Sequence, residues 1–446
     1  MGFFGAGLCL CWVGPLGLRF DTGAAKYFWA VFRHPVLPTA FFVRNRARLA
    51  EALPPGVAAI VLANEPLPGE ADTTLPFQQN SNYYYLTGLE TPGGLLWLFP
   101  DSPIQEAREV LFLQPPSPEK RLWEGWTYSL EEAQERSGVH AVKPLSEWPA
   151  FFRRFISRVK GLALDLNEHE RQTAGFHPSP AHRLARRLQQ EFPAHPLHRL
   201  APILSRLRQV KSPEEIALLR QAIDLTISAY QAVLPMLQEG ITEYEIEAEI
   251  LRIYLRGRGT AAFPPIIAGG ERACVLHYTF NSQPLHSGQL VLIDTGARLG
   301  FHCADLTRTL PVGPISPQAE KYLRWVAEVQ TYAQQLLRPG LSLDEWHNQT
   351  AAYIQEGLQA LELLPPNAEK DAYKRYFPHG LGHFLGIDVH DVGSRYDPLP
   401  VGAVVTCEPG LYIPALQLGI RIENDLLVTE NGCENLSAAL PDLLGL

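Results

Sequence analysis

The chain has 446 residues, of which 46% are hydrophobic, and it carries a formal net charge of −9. This length predicts two or three domains with sizeable cores. The acidic balance argues against nucleic acid or an anionic membrane as a partner, because either would require a basic face. The six cysteines are too few and too scattered for a disulfide framework, which favours a reducing, cytoplasmic location.

Residues 1–25 are predicted to be an N-terminal extension outside the fold. The stretch Phe3–Leu18 is apolar, but glycines and prolines interrupt it and no positive charge precedes it. A secretory signal peptide requires a basic start and a continuous apolar segment. A membrane-spanning helix requires about 20 uninterrupted apolar residues. The segment fits neither class.

From Val43 to about Pro202, short apolar runs alternate with helical stretches, which predicts a small α/β domain. Arg44–Leu53 and Ser129–Ser137 are predicted to be helices. The predicted buried strands are Ala58–Leu62, Gly94–Phe99 and Val110–Leu113. This region contains no cluster of metal-ligand residue types, so we expect it to have a structural or oligomeric role.

A domain boundary is predicted within residues 204–211, which divides the folded chain into domains 26–205 and 206–446. A helix is predicted to begin directly afterwards, because Ser212 can cap it and Glu215 can complete a capping box. Thr242 and Glu245 predict a second helix start of the same kind.

The segment Gln289–Pro311 is predicted to form a pair of strands. Leu290–Ile293 is the outgoing strand, Asp305–Leu310 the return strand and Arg298–Gly300 the turn. This arrangement brings Asp294, which follows the first strand, beside the start of the second. Two neighbouring carboxylates are unfavourable without a cation between them, so the pair suggests a metal site.

Five residue types that bind metal ions stand in order in the second half of the chain: Asp294, Asp305, His383, Glu408 and Glu423. The set is too rich in oxygen for a structural zinc site, which requires thiolates and imidazoles. Hard carboxylate ligands favour manganese or a similar divalent ion. Four carboxylates and a bridging hydroxide nearly balance the charge of two such ions. The set therefore predicts a two-metal hydrolytic centre.

Eight motifs carry a family resemblance. In chain order they are Gln79–Gly88, Leu276–Thr279, Ile293–Gly296, Ala304–Thr309, His379–His383, Asp388–Gly393, Glu408–Ile413 and Gly419–Glu423. Together they resemble the metallopeptidases of the pita-bread fold and, within that family, aminopeptidase P (Xaa-Pro aminopeptidase). The resemblance extends from about Lys26 to the C-terminus. It implies an α/β (α+β) fold, in which a small N-terminal α/β domain precedes a pita-bread catalytic domain.

The resemblance also implies a role for each metal ligand. Asp294 would chelate one ion, His383 and Glu408 would hold the other, and Asp305 and Glu423 would bridge both. Manganese is the expected metal, with Co²⁺, Fe²⁺ or Zn²⁺ as alternatives. Glu408 would also accept the proton of a metal-bridging hydroxide and pass it to the leaving group.

Three histidines outside the ligand set are implied to act on the substrate. His390 would stabilise the tetrahedral oxyanion, and His277 and His379 would lie near the proline side. His379 and His383 are four residues apart, as in a helical zinc-protease pair. The glycines between and after them make a regular helix improbable, so that motif is not predicted.

Two further residues have open interpretations. Arg421 lies two residues before Glu423, so in a continuous strand both would point to the same face. Arg421 would then orient a ligand carboxylate, contact the substrate or form a plain salt bridge. Trp123 resembles an N-terminal-domain aromatic residue that closes the pocket of a neighbouring subunit, but packing in its own domain's core explains it equally well.

The predicted function is hydrolysis of the N-terminal Xaa-Pro bond of peptides. The expected partners are peptides with proline at the second position, and the expected assembly is a homodimer or homotetramer. A prolidase, which cleaves only Xaa-Pro dipeptides, is the near alternative. A non-catalytic pita-bread module that binds peptides or proteins is the distant one, and such a module would be expected to lose metal ligands.

Overall fold

A computed structural model describes residues 33–125, 127–166, 168 and 178–444 of the chain. Every element named below lies within the compact unit His34–Leu446. The predicted extension 1–25 falls outside the described residues. Across the described part of the chain, none of the helices combines the length and apolar character needed to cross a membrane.

The N-terminal region contains one mixed sheet of six strands, in the order β4-β3-β2-β1-β5-β6. The strands are β1 Val57–Leu62, β2 Gly94–Leu98, β3 Glu109–Leu113, β4 Ala141–Pro144, β5 Gly161–Leu164 and β6 Leu197–Arg199. The helices of this region are α1 Thr39–Ala52, α2 Ser81–Thr87, α3 Pro118–Glu124, α4 Leu130–Ser137, α5 Trp148–Phe155 and α6 Pro180–Glu191. The three predicted strands and both predicted helices are confirmed, with ends shifted by a few residues.

A connecting helix, α7 Ala201–Gln209, leads into the second region. The predicted boundary between residues 205 and 206 lies inside this helix, and its position stays a prediction. Helix α8 Pro213–Val233 begins with the expected capping box of Ser212 and Glu215. Helix α9 Glu243–Arg256 begins with the box of Thr242 and Glu245.

The second region is built from four small sheets, ordered β11-β10-β7, β12-β9-β8, β13-β16-β17 and β14-β15. Their strands are β7 Thr260–Ala261, β8 Ile266–Gly269, β9 Leu290–Thr295, β10 Ala297–Leu299, β11 His302–Cys303, β12 Leu306–Pro311, β13 Val404–Cys407, β14 Gly410–Ile413, β15 Leu418–Arg421, β16 Asn424–Thr429 and β17 Gly432–Asn435. Helices α8 and α9 share a core with β8 to β12. Two later helices, α10 Pro317–Leu336 and α11 Leu343–Ala360, share another core with β13 to β16. The region is thus made of two halves of similar design.

The predicted strand pair is confirmed, but it is interrupted. Strands β9 and β12 are antiparallel, with Asp294 opposite Thr307, and the chain between them forms the short hairpin β10–β11. The interruption depends on Gly296, because a Cβ atom there would lie 1.7 Å from the carbonyl oxygen of Ala304. Only glycine allows so close an approach. Asp305 lies directly after this contact, at the point where the return strand begins.

The second half is interrupted in the same way. The chain leaves β13 and enters β14 through Glu408 and Pro409, and it leaves β15 and enters β16 through Ile422 and Glu423. The two crossings face one another, since the backbone N–H of Ile422 donates to the carbonyl oxygen of Pro409 at 3.3 Å. The predicted continuous strand through Arg421 and Glu423 is therefore interrupted, but the two side chains do point to the same side, since both contact Oγ1 of Thr307. The strand ends at Arg421, and Glu423 lies at the crossing between two sheets.

Candidate functional site

One cavity of about 660 Å³ contains all the predicted site residues. Its walls include Asp294, Asp305, His383, Glu408, Glu423, His277, His379, His390 and Arg421. The rest of its lining is mostly apolar and includes Phe263, Ile266, Leu276 and Val389. The cavity therefore combines an acidic floor with an apolar wall.

The carboxylates reach this cavity because each lies at or beside an interruption of a sheet. Asp294 is the next-to-last residue of β9, and Asp305 immediately precedes β12. Glu408 and Glu423 occupy the two crossings between β13–β16 and β14–β15. At such positions a side chain leaves the regular in-and-out alternation of a strand. Four acidic side chains can therefore converge on one point.

His383 lies on a loop that is tied to strand β13. Its backbone N–H donates to Oγ1 of Thr406 at 3.1 Å, and Thr406 N–H donates to the His383 carbonyl at 2.8 Å. Its Nδ1 lies 3.0 Å from the carbonyl oxygen of Phe384, which can only accept a hydrogen bond. Nδ1 must then carry the proton, so in the neutral ring Nε2 presents its lone pair to the carboxylates.

The ligand atoms are close enough to share metal ions. One ligand atom each from Asp305, His383 and Glu423 lies within 4.8 Å of the others. His383 Nε2 is 3.4 Å from Oδ2 of Asp305 and 3.9 Å from Oε1 of Glu408. Asp294 joins the cluster from β9. Its Oδ1 is buried and finds no hydrogen-bond donor among the described residues.

The electrostatics of the cluster favour bound cations. Burial raises the pKa of Asp305 well above its usual range, and the charge of Asp294 raises it further. Burial raises the pKa of Glu423 in the same way, with Asp305 and Glu408 adding to the effect. Burial also raises the pKa of Glu408, to about 7. Carboxyl groups that resist joint ionisation, together with an orphaned carboxylate oxygen, fit a site for divalent cations.

Arg421 is directed at a metal ligand. Its guanidinium forms an ion pair with Asp294 Oδ2 and donates to the Tyr412 hydroxyl at 3.0 Å and to Oγ1 of Thr307 at 3.3 Å. The residue is only 4% exposed. Among the three interpretations of Arg421, the geometry favours orientation of a ligand carboxylate.

Two hydroxyl groups complete this layer of contacts. Thr307 donates to Oε2 of Glu423 at 2.7 Å and thereby fixes the orientation of that carboxylate. The Tyr412 hydroxyl lies 2.8 Å from Nε2 of His379, so it joins that histidine to Arg421. Sequence reasoning missed Tyr412, because in its motif the residue has the ordinary character of a strand tyrosine.

The three additional histidines differ in their surroundings. Burial and the nearby Arg421 lower the pKa of His379 to about 3, so its ring is neutral, and its Nδ1 lies 3.5 Å from Oε2 of Glu408. His277 and His390 are exposed on the cavity wall. The His390 ring centroid is 4.4 Å from that of His383, in an edge-to-face arrangement. His390 therefore lies directly beside the proposed metal position.

Asp425, the second residue of strand β16, is fully buried. Its Oδ2 accepts a hydrogen bond from the backbone N–H of Asp305 at 3.2 Å. Burial raises its pKa well above the usual range. Asp425 thus holds the backbone of Asp305, one of the predicted metal ligands.

Cys407 precedes Glu408 but faces away from the chemistry. Its Sγ lies 3.0 Å from Oε1 of Gln330, and burial raises the pKa of the thiol well above its usual range. A protonated, buried thiol is a poor ligand and a poor nucleophile. Cys407 is therefore a structural residue of this site and takes no part in its chemistry.

Trp123 has no place in the core of this chain. Its side chain is 80% exposed, as is that of the preceding Leu122. Interior packing of Trp123 is therefore wrong as an explanation.

Besides Tyr412, the sequence analysis also missed Arg395. This residue lines the cavity and forms an ion pair with Asp344 at 2.9 Å.

Comparisons with known proteins point to one family. The model of metallopeptidase family M24 matches residues 217–430, and the model of the aminopeptidase P N-terminal domain matches residues 42–163. A Haemophilus influenzae protein named Xaa-Pro aminopeptidase is 34% identical over 91% of this chain and 95% of its own length. The solved low-pH form of Escherichia coli aminopeptidase P has a TM-score of 0.82 at 29% identity, covering 92% of this chain and 97% of that one. A zinc-substituted form of the Escherichia coli enzyme in complex with product gives 0.79 at 30% identity, with the same coverage.

Proposed function

Because this chain belongs to metallopeptidase family M24, within its aminopeptidase P group, we propose that it removes the N-terminal residue from peptides whose second residue is proline. The observation that carries the proposal is the convergence of all five ligand-type residues on one cavity. A non-catalytic module would have no need of this complete set. Release of a free first residue from Xaa-Pro-Xaa tripeptides by the metal-loaded protein tests the proposal, and a lack of release would refute it.

The metal requirement is proposed to be two divalent ions per chain, with manganese as the native metal. Asp294, Asp305, His383, Glu408 and Glu423 would hold them. Bound there, the ions would supply Lewis acidity that activates water and polarises the scissile carbonyl. Arg421 orients the carboxylate of Asp294, and Thr307 orients that of Glu423.

Glu408 is the proposed proton carrier. It lies on the cavity wall with 18% of its side chain exposed, beside His379, so it can reach both water and peptide. It accepts a proton from the attacking water and passes it to the departing proline nitrogen. That nitrogen belongs to a tertiary amide, so it has no proton of its own and must receive one to leave as an amine.

His390 is the proposed hydrogen-bond donor to the oxyanion, and the effect of replacing it can be predicted. His390→Ala is expected to lower kcat by about 10²–10³-fold, because one hydrogen-bond donor to the developing negative charge is lost. KM and the bound metal should change little. Steady-state kinetics and elemental analysis on the same preparation check this. A normal kcat would return His390 to a structural role.

Removal of the metal should affect both activity and stability. Chelation is expected to abolish turnover and lower Tm, because cations that bind only the folded state stabilise it, by about 2.7 kcal/mol at a concentration 100 times Kd. Adding Mn²⁺ back should restore both properties. Calorimetry and activity assays before and after dialysis provide the measurement. Full activity in protein that contains no metal would contradict the prediction.

We also propose an oligomer, a homodimer or homotetramer, in a cytoplasmic location. The exposed pair Leu122 and Trp123 supports the first proposal, since large apolar side chains at the surface commonly mark contact sites. Four cysteines of the described region are free, which agrees with a reducing compartment. Sedimentation analysis tests the assembly, and a monomer at micromolar concentration would refute it.

A further inference from the structure

We propose that Arg208 and Asp391 are positioning residues for His390, and that through them the N-terminal region sets the turnover rate. This inference rests on the proposed function, in which His390 acts on the substrate. The residues concerned form a buried network of charges between helices α2 and α7 and the loop that carries His390. Arg208, Lys211, Asp388 and Asp391 are not among the metal ligands, and they do not line the cavity. Within residues 388–391 of this loop, only Val389 and His390 line it.

Arg208 is the centre of the network. It is 2% exposed and donates to Oδ1 of Asn82 at 2.7 Å and to Oδ2 of Asp388 at 2.7 Å. It also forms an ion pair with Oδ1 of Asp391. Lys211 donates to the other oxygen, Oδ2 of Asp391, at 2.8 Å. Arg208, in the last turn of helix α7, and Lys211, which follows that helix, thus pair with the acidic residues on either side of His390 in the chain, Asp388 and Asp391.

The N-terminal region adds contacts of its own. Ser81, the first residue of helix α2, donates to Oδ1 of Asp388 at 2.5 Å. Asn82, which accepts from Arg208, donates through its amide to Oδ2 of Asp165 at 3.0 Å. The position of the loop therefore depends on helix α2 as well as on the second region.

The loop itself leaves little freedom for movement. The backbone N–H of Asp391 donates to the carbonyl of Phe384 at 2.8 Å, and that of Gly386 donates to the carbonyl of Asp388 at 3.1 Å. A Cβ atom on Gly386 would lie 2.1 Å from Asp391 Oδ2 and 2.8 Å from Cε of Lys211. His390 is thus held between two anchored neighbours, with its ring beside that of His383.

Stability alone is a weak reason for such a network. A buried ion pair often stabilises a fold no better than apolar side chains of similar size. The more informative property of these contacts is that they fix the position of the loop that carries His390. Although burial acts in the opposite direction, Arg208 and Lys211 lower the pKa of Asp391 to about 2. Asp391 therefore stays ionised at any pH at which the enzyme would work, and the loop stays anchored.

The test is a double-mutant cycle with His390→Ala. Arg208→Gln is expected to lower kcat about tenfold in the otherwise unmodified enzyme, with KM and metal content unchanged, and to have no further effect in the His390→Ala background. Arg208→Lys should recover part of the loss. Arg44→Gln is the matched control. It breaks the exposed Arg44–Glu214 pair, whose atoms are 2.9 Å apart and which joins the same two regions, and it should leave kcat unchanged. Equal losses in both backgrounds would overturn the inference.

A milder variant and a structural readout keep the test decisive. If Arg208→Gln does not fold, Ser81→Ala removes one hydrogen bond to Asp388 and should lower kcat about threefold, again only when His390 is present. Crystal structures of either variant should show the His390 ring displaced from that of His383. An unmoved ring would refute positioning even if no variant were active. An inactive unmodified enzyme would instead refute the proposed function.

Discussion

Replacing Asp305 with asparagine is expected to remove both metal ions and lower kcat by about 10³-fold or more. Lewis-acid stabilisation by bound ions is worth several kcal/mol of barrier height, and each 1.36 kcal/mol is a factor of ten in rate. Asp305 has the largest expected effect because it is the proposed bridge between the ions and lies within reach of both His383 and Glu423. Elemental analysis and kinetics on purified protein provide the measurement.

Unfolding must be separated from loss of metal in this experiment. The metal-free Asp305→Asn variant should be at least as stable as the metal-free unmodified protein, because it removes one of several buried carboxyl groups whose pKa values are already raised by burial and by one another. Asp371→Asn, which affects an exposed pair with Lys374, is the control and should retain metal and activity. Two ions per chain in Asp305→Asn would contradict the bridging role.

Replacing Glu408 with glutamine is expected to stop turnover while peptide binding persists. Glutamine keeps an oxygen that can face the metal, but it cannot accept a proton. Loss of proton transfer alone typically lowers kcat by about 10²–10⁴-fold, and a weakened metal site adds to this. KM or a calorimetric Kd for an Xaa-Pro peptide should change only a few-fold.

The control for this experiment is Glu434→Gln, which affects an exposed pair with Arg220 and should behave as the unmodified enzyme. A Glu408→Gln protein with more than about one tenth of the normal kcat would lie outside the range expected for a lost proton carrier. Proton transfer would then have to be assigned to another group, and His379 is the nearest candidate.

Local sequence patterns are sufficient to predict the individual helices and strands and to recognise the family. The apolar runs of β1 to β3 and the capping boxes at Ser212 and Thr242 report on short stretches of chain, so they can be recognised without knowledge of the fold. The resemblance to aminopeptidase P and the two-domain α/β architecture are confirmed by the family models and by solved structures. The nine site residues follow largely from that resemblance, and their functional roles stay predictions.

The supporting contacts could not be predicted, because they join residues that are far apart in the chain. Arg208 and Asp391 are 183 positions apart, and the two sequence contexts give no sign of the pairing. The break in the strand between Arg421 and Glu423 is missed for a different reason. Strand periodicity assumes a continuous strand, whereas this chain crosses between sheets at Ile422 and Glu423. These interruptions are what bring the ligands together, so strand periodicity alone does not locate the site, although Arg421 and Glu423 do face the same cavity.

Products from three peptides test the central claim most directly. Manganese-loaded protein should release the first residue from Xaa-Pro-Xaa rapidly, act no better on the dipeptide Xaa-Pro, and cleave Xaa-Ala-Xaa about tenfold more slowly or worse, since a pocket shaped for the proline ring loses its contacts. A prolidase needs a cation to bind the carboxylate of the dipeptide. Arg421 is buried and paired with Asp294, so it cannot bind that carboxylate. Arg395 lines the cavity and is the remaining candidate for that role. Rapid cleavage of the dipeptide with no detectable action on the tripeptide would contradict the account and identify a prolidase.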